Sequence, residues 1–170
     1  MHLRSLYDRV RMRIAVDARA LEAQPTGVGR YLEELVGAWL DRYPGDTFVL
    51  LSCRPVFAGR LAGRVEIVPG DGRVPGTIWL QTHAGLLARA VRADVFLGPL
   101  GVLPLASDLP GVATIHDLTP LLFPAWHSLR NRLGFVPFLA PTIRRARAVA
   151  TVSRATLRDL IEHVPEAAEK

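Results

Sequence analysis

The segment Pro25-Thr26-Gly27-Val28-Gly29-Arg30-Tyr31 joins an apolar run at residues 13–17 to a long amphipathic stretch that begins at Val28. Two glycines flank one β-branched residue, so the backbone can approach another molecule with no Cβ in the way. At the start of a helix, backbone amides and the positive end of the helix dipole favour an anion such as phosphate or pyrophosphate. The segment therefore predicts a strand-to-helix turn that suits a nucleotide.

The stretch after the glycines predicts one long helix over residues 28–43. Its apolar residues recur at the i, i+3, i+4, i+7 spacing of a single helix face. These residues are Val28, Tyr31, Leu32, Leu35, Val36, Trp39, Leu40 and Tyr43. Charged residues occupy the opposite side, and Pro44-Gly45 end the helix. The pattern predicts a helix that packs on a sheet.

Short apolar runs alternate with helical stretches along the rest of the chain. The predicted strands are 13–17, 47–52, 64–68, 94–97, 112–115 and 148–152, and the predicted helices are 28–43, 77–91, 129–147 and 154–164. Strands that are apolar on both faces are typical of a parallel sheet covered on both sides. The predicted fold class is α/β, a Rossmann-like doubly wound parallel sheet in a three-layer sandwich. Pro137 and Pro141 predict a kink in the helix at 129–147, or its division into two shorter helices.

Length and composition indicate one domain. The chain has 170 residues, of which 49% are apolar, enough for an ordinary core. Residues 12–170 are predicted to form this domain, and residues 1–11 to be an N-terminal extension without the apolar segment of a signal peptide. The longest apolar run, 95–106, is too short and too interrupted to predict a transmembrane helix. Cys53 is the only cysteine, so we expect a reducing compartment, the cytoplasm.

Ligands of open parallel sheets bind beyond the carboxyl ends of the strands. The glycine turn, Gly98-Pro99, His116-Asp117 and Ser153 all follow predicted strands and so lie at that edge. A neutral imidazole at His116 can hydrogen-bond a sugar hydroxyl or exchange a proton near neutral pH. The alternative is that His116 and Asp117 only fix their loop. For Ser153 the default is a hydroxyl that caps the next helix.

Several other kinds of site are not supported. A dinucleotide site requires glycines directly after the first strand, a small third residue and an acid at the end of the second strand. Here Asp17 is ten positions before Gly27, Leu32 takes the third position, and the second strand ends in Ser52-Cys53-Arg54. There is also no Gly-Lys-Ser/Thr phosphate loop, no G-x-S-x-G nucleophile turn and no zinc motif.

Four motifs occur in a fixed order: MRIAVDAR at 12–19, TGVGRY at 26–31, TIHDL at 114–118 and ATVS at 150–153. Together they resemble the amino-terminal half of retaining GT-B glycosyltransferases of glycosyltransferase family 4, also called group 1. The resemblance extends from about residue 12 to the end of the chain. It implies a Rossmann-like acceptor-side domain that faces a second, donor-binding domain across the active site.

The resemblance also implies roles for individual residues. Gly27 and Gly29 match the loop that approaches the donor diphosphate, and Ser153 matches a serine close to the cleft. His116 matches the histidine that contacts the transferred sugar near the reacting carbon, and Asp117 matches its neighbour. Arg30 and Tyr31 are candidates for acceptor or phosphate contacts, although the position of Tyr31 in the apolar ladder favours core packing.

The reaction implied for the complete enzyme is transfer of a hexose from a nucleotide diphosphate sugar to an acceptor hydroxyl with retained anomeric configuration. No cofactor or metal is expected. The basic diphosphate clamp and paired-glutamate motif of the donor domain do not occur in this sequence. The chain is therefore expected to be one half of the enzyme, inactive by itself. The acceptor is expected to be a glycan or a lipid-linked molecule.

Alternatives remain for the function and the partners. A stand-alone, non-catalytic nucleotide- or sugar-binding module has the same fold. The net charge of +5 is almost entirely arginine, which reflects either coding-DNA composition or anionic partners. Nucleic acid is not expected, since no recognition motif is present. The stretches 121–126 and 135–139 predict either buried packing or peripheral contact with the inner face of a membrane, for which the bordering arginines are Arg130, Arg132, Arg144, Arg145 and Arg147.

Overall fold

The computed structural model describes residues 11–23, 27–70, 72–74 and 76–170. Its six strands are β1 (Arg13–Asp17), β2 (Thr47–Ser52), β3 (Glu66–Pro69), β4 (Val95–Gly98), β5 (Gly111–Ile115) and β6 (Ala148–Thr151). They form one sheet in the order β3-β2-β1-β4-β5-β6, and every neighbouring pair is parallel. This is the strand order of a doubly wound Rossmann-type sheet.

Helices connect the strands. They are α1 (Gly27–Arg42), α2 (Gly76–Trp79), α3 (Gly85–Ala90), α4 (Thr119–Leu122), α5 (Leu129–Arg145) and α6 (Arg154–His163). A π-helical turn, Leu80–Ala84, joins α2 to α3, so the helix predicted at 77–91 contains an irregular middle. No helix in the described ranges is long and apolar enough to cross a bilayer.

The central strand β1 shows why the sheet is covered on both faces. Ile14 and Val16 pack in a cluster with Leu32 and Val36 of α1. Ala15 points the other way, into a cluster with Trp79 of α2. Successive side chains of a strand point to opposite faces, so a strand that is apolar throughout must be buried twice. The predicted three-layer α/β sandwich is confirmed.

The helix α5 differs from the prediction in one respect. It runs without interruption from Leu129 to Arg145 with both Pro137 and Pro141 inside it, so a division into two shorter helices is wrong. Each proline removes an amide hydrogen bond. The buried residues Leu139 and Ile143 pack in a core cluster, and this burial holds the helix together across the missing bonds.

Two predicted features fall partly outside the described residues. The N-terminal extension is described only at Arg11, and Pro25 and Thr26 of the glycine segment are also outside.

The third strand begins two residues later than predicted and includes Pro69. The loop after β5 also contains short helical turns, α4 and the 3-10 turn Pro124–Trp126, which were not predicted.

Candidate active site

The carboxyl ends of the strands form one edge of the sheet. The direction in which successive strands are added to the sheet reverses between β1 and β4. From β1 the chain passes through α1 to β2 on one side, whereas β4 leads to β5 on the other. A crevice opens outside the strand ends at such a switch point. The loops after β1, β4, β5 and β6 all border this edge.

His116 lies directly after β5 and is half-buried. Its Nε2 is 2.9 Å from the carbonyl oxygen of Pro99, in the loop after β4. A carbonyl oxygen only accepts hydrogen bonds, so Nε2 must carry the proton. In the neutral ring Nδ1 is then an acceptor. The geometry thus fixes a tautomer that can accept a hydrogen bond from a hydroxyl group.

Gly98 explains how the Pro99 carbonyl is held in reach of His116. A Cβ at Gly98 would lie 2.6 Å from the carbonyl oxygen of Val102, closer than real side chains approach. A larger residue would therefore displace the loop that contains Pro99. The sequence placed Gly98-Pro99 at this edge but gave no indication of the bond to His116.

Tyr31 connects α1 to the same group. Its ring meets the His116 imidazole edge to face, with centroids 4.9 Å apart and planes at 89°. Its hydroxyl is 3.3 Å from the hydroxyl of Thr114 on β5. Tyr31 is half-buried, so it packs as the ladder predicts and still lines the rim of the crevice. The first turns of α1 and the end of β5 are therefore neighbours.

The two glycines and Arg30 begin α1, one turn before the contact between Tyr31 and His116. Gly27 is exposed, and a Cβ added to it would meet nothing within 4 Å. No contact among the described residues therefore requires a glycine at this position. Gly29 is buried in the helix, and Arg30 is exposed.

Ser153 caps α6, as its position predicted. Its hydroxyl accepts a hydrogen bond from the Thr156 amide at 3.0 Å. The buried hydroxyl of Thr156 donates in turn to the His116 backbone carbonyl at 3.0 Å. The end of β6 is thereby tied to the end of β5. Thr156 was not singled out from the sequence, because its bond to the His116 carbonyl joins residues 40 positions apart.

Replacement of Thr156 by valine is expected to lower the unfolding free energy by about 1 kcal/mol, because valine has the same shape but leaves the His116 carbonyl without its donor. Thr156→Ser keeps the hydroxyl and is the control. Urea unfolding of the two variants measures the difference. Equal stabilities would show that the bond does not hold His116 in place.

Asp117 serves its own loop. Its carboxylate is exposed and accepts bonds from the Thr119 amide at 2.8 Å and the Thr119 hydroxyl at 2.5 Å. The Thr119 hydroxyl in turn accepts a bond from His127 at 2.8 Å. This arrangement matches the loop-fixing alternative for Asp117. The resemblance places Asp117 beside the histidine of the reacting centre, and a catalytic role there stays a prediction.

Buried charge lies at the carboxyl end of β1. Asp17 is fully buried and pairs with Arg19 through two bonds, to Nε at 2.8 Å and Nη2 at 2.7 Å. Burial lowers the pKa of Arg19, but the charge and hydrogen bonds of Asp17 outweigh it, so the pKa is raised. Both residues belong to the first motif, MRIAVDAR, whose sequence does not indicate this ion pair.

Cys53, after β2, is the other buried reactive group. Its thiol donates to the carboxylate of Glu22 at 2.9 Å, and the same oxygen accepts from the Ser52 hydroxyl at 2.6 Å. Burial raises the pKa of the Cys53 thiol, and the bond to Glu22 raises it further. The thiol is therefore a structural group and a poor nucleophile. Among the described residues, no three His, Cys, Asp or Glu side chains are grouped to hold a metal ion.

Comparison with known families decides the classification. Residues 25–170 match the family model of Glycosyltransferase Family 4. The chain belongs to glycosyltransferase family 4. A search of curated proteins found no match to the chain. The matched region begins at the glycine segment and includes Tyr31, His116 and Ser153, whereas Asp17 and Arg19 precede it.

In this family 4 domain, three of the predicted site residues lie in a connected group. Tyr31 contacts His116 through the rings, and Ser153 reaches the His116 backbone through Thr156. Gly27, Gly29 and Arg30 lie within the preceding turn of α1. Asp117 adjoins His116 in sequence, but its carboxylate bonds within its own loop. The domain therefore brings the ends of β4, β5 and β6 together with the start of α1.

Proposed function

We propose that this family 4 domain is the acceptor-side half of a GT-B glycosyltransferase. The complete enzyme transfers a hexose from a nucleotide diphosphate sugar to an acceptor hydroxyl with retained anomeric configuration. The observation that supports this most is the contact of Tyr31 with His116, with ring centroids 4.9 Å apart at the sheet edge where nucleotides bind in such folds. It joins a group suited to a sugar to a helix start suited to phosphate.

The start of α1 receives the diphosphate of the donor. Gly27 is exposed and has open space where its side chain would be, so an oxygen of the donor can approach the backbone. The first turn of α1 contains no acidic residue that would repel it. Charge that develops on the leaving diphosphate is stabilised there by amides and the helix dipole.

His116 orients the sugar. Because its Nε2 donates to Pro99, its Nδ1 is left as an acceptor and takes a hydrogen bond from a hydroxyl of the transferred hexose. This function needs an imidazole held at a fixed angle. Tyr31 packs against the ring, and Thr156 bonds the backbone carbonyl of the same residue. We assign His116 to positioning the reacting sugar, and not to proton abstraction.

A second Rossmann-like domain across the crevice binds the nucleotide and supplies the remaining positive charge that stabilises the diphosphate. Transfer requires both domains because it depends on the relative placement of donor and acceptor. This domain alone is then inactive. No metal or other cofactor takes part. We place the reaction in the cytoplasm, because the chain has a single cysteine and cysteines usually stay unpaired in a reducing compartment.

The test is a donor screen with the complete protein that contains this domain. Candidate nucleotide diphosphate sugars are incubated with glycan and lipid-linked acceptors, and nucleoside diphosphate release is measured. The anomeric configuration of the product is then read by NMR. We expect release of the nucleoside diphosphate that depends on both substrates, and a product with the anomeric configuration of the donor. Tight binding of a free nucleotide without any transfer would favour the non-catalytic module instead.

A further inference from the structure

Four large apolar side chains face solvent near the start of α5. The exposed fractions are 45% for Phe123, 72% for Trp126, 65% for Leu129 and 59% for Leu133. We call these residues the 123–133 face. Four exposed large apolar side chains within eleven residues are unusual on the surface of a soluble protein, and such concentrations mark interaction sites.

The rest of the apolar sequence around this face is packed inside. Leu121 and Leu122 contact the core cluster under α5, and Phe135 and Phe138 pack against core clusters as well. Of the two stretches considered for membrane contact, 135–139 is therefore mainly a packing element. The exposed part of the other stretch is limited to its end, 123–126.

The 123–133 face is held in shape by the fold. The rings of Phe123 and Trp126 stack with centroids 4.5 Å apart and planes at 13°. The Phe123 amide bonds to the Thr119 carbonyl at 2.8 Å, which fixes the pair to α4. Leu129 and Leu133 are one helical turn apart on α5 and so lie on one side of it. The aromatic pair is thus presented as a rigid apolar projection.

The chain segment that carries the face, residues 118–158, contains charge of one sign only. The sequence contains no aspartate or glutamate between Asp117 and Asp159. The same interval contains Arg130, Arg132, Arg144, Arg145, Arg147, Arg154 and Arg158. Arg130 is exposed, Arg132 is half-buried, and neither has a carboxylate partner in the part of the chain that the structure describes.

Not all of the arginines predicted to border the stretches 121–126 and 135–139 lie near this face. Arg144 pairs with Glu166, and Arg145 donates to the carbonyl of Leu109 at 2.9 Å. Both lie at the far end of α5, about 20 Å along the helix from Leu129. The positive charge available to a partner at the 123–133 face therefore comes from Arg130 and Arg132.

We infer that the 123–133 face docks on the surface of an anionic phospholipid bilayer. Tryptophan suits the interface because its ring is apolar while its indole N–H stays in the wet headgroup layer. Phenylalanine adds apolar area that enters the lipid. The two leucines enter the same layer, and Arg130 and Arg132 contact lipid phosphates. A protein partner whose surface carries both signs of charge would place uncharged or positive groups against these two arginines. An anionic bilayer presents phosphate groups across its whole surface.

Docking of this face would also orient the crevice. The loop that contains Phe123 and Trp126 begins directly after His116 and Asp117, at the same edge of the sheet. An acceptor anchored in the bilayer would then reach the crevice without leaving the membrane. This consequence rests on the proposed glycosyl transfer, but docking itself does not depend on it.

Vesicle sedimentation of the full chain tests the inference. Vesicles of phosphatidylcholine alone are compared with vesicles that also contain phosphatidylglycerol, at about 0.1 M and about 1 M salt, where the Debye length falls from about 10 Å to about 3 Å. We expect binding only to the anionic vesicles, weakened at high salt. Arg130→Gln with Arg132→Gln should weaken it by roughly fivefold for each charge removed.

The apolar contribution is tested with Trp126→Ser combined with Leu129→Gln, which should reduce binding at least tenfold. Leu86→Gln is the matched control, because Leu86 is a similarly exposed leucine on α3. Three results would each overturn the inference: no binding to anionic vesicles, equal loss with Leu86→Gln, or a dimer in light scattering that the Trp126 and Leu129 changes dissolve. Protection of residues 123–133 by another domain in the complete protein, seen by hydrogen exchange without vesicles, would also overturn it.

Discussion

Replacement of His116 by alanine is expected to lower kcat of the complete enzyme about 100-fold, as is usual when a group that positions the reacting centre is lost. Folding should suffer much less. The change removes the hydrogen bond from Nε2 to Pro99 and the ring contact with Tyr31, each of which is worth about 1 kcal/mol of unfolding free energy. Initial rates at saturating donor and urea unfolding of the same protein preparation measure the two effects.

His163→Ala is the control for the His116 change. His163 is an exposed histidine at the end of α6, where its ring bonds to the Asp159 carbonyl of the same helix. It should leave both kcat and stability nearly unchanged. If His116→Ala retains normal turnover, or if its loss of activity only follows a loss of folded protein, the proposed role of His116 is wrong.

Replacement of Arg19 by methionine is expected to lower the unfolding free energy by about 3 kcal/mol, because it leaves a buried carboxylate without its partner. Asp17 has no exposed surface and its partner Arg19 has a side-chain exposure of only 10%. Their two hydrogen bonds form at the carboxyl end of β1, in the middle of the sheet. Urea unfolding of the purified domain measures the change.

An exposed ion pair provides the comparison. Arg60 and Glu34 are also bonded, but both side chains are largely in solvent. Arg60→Met should therefore change the unfolding free energy by less than about 1 kcal/mol. The double change Asp17→Asn with Arg19→Met should recover part of the loss, since no charge is then buried alone. Equal effects of Arg19→Met and Arg60→Met would contradict the assignment of a buried pair at β1.

The fold could be predicted because its signals are local. The apolar run at β1 has buried neighbours on both faces, and the helical ladder at 28–43 places Leu32 and Val36 in the core. Each of these patterns is decided within a few residues, as periodicity arguments require. Whether α5 is continuous or divided could not be predicted in this way, because Leu139 and Ile143 hold it through contacts with distant elements.

The site could be predicted only as a set of loops at one edge. The bonds that connect those loops join residues far apart in sequence: Tyr31 and Thr114 are 83 positions apart, and His116 and Thr156 are 40. Such pairs depend on the final placement of two elements, which no spacing in the chain encodes. The tautomer of His116 could not be predicted for the same reason, since it is set by the carbonyl of Pro99 in the loop after β4.

The surface was the least predictable part. Apolar residues at 121–126 and at 135–139 are similar in composition, yet Trp126 is exposed while Phe138 is packed against the core. Which of them faces solvent depends on how α4 and α5 dock on the sheet. Composition alone therefore favoured burial for both stretches and left membrane contact as the alternative.

A crystal structure of the complete protein with a non-transferable nucleotide diphosphate sugar tests the central claim most directly. The claim is that the loop after β5 and the start of α1 form one site for the donor, next to the contact between Tyr31 and His116. We predict a hydroxyl of the sugar within hydrogen-bond distance of His116 Nδ1, and the diphosphate against the backbone at Gly27. A donor bound with its sugar and diphosphate away from both residues would contradict the claim.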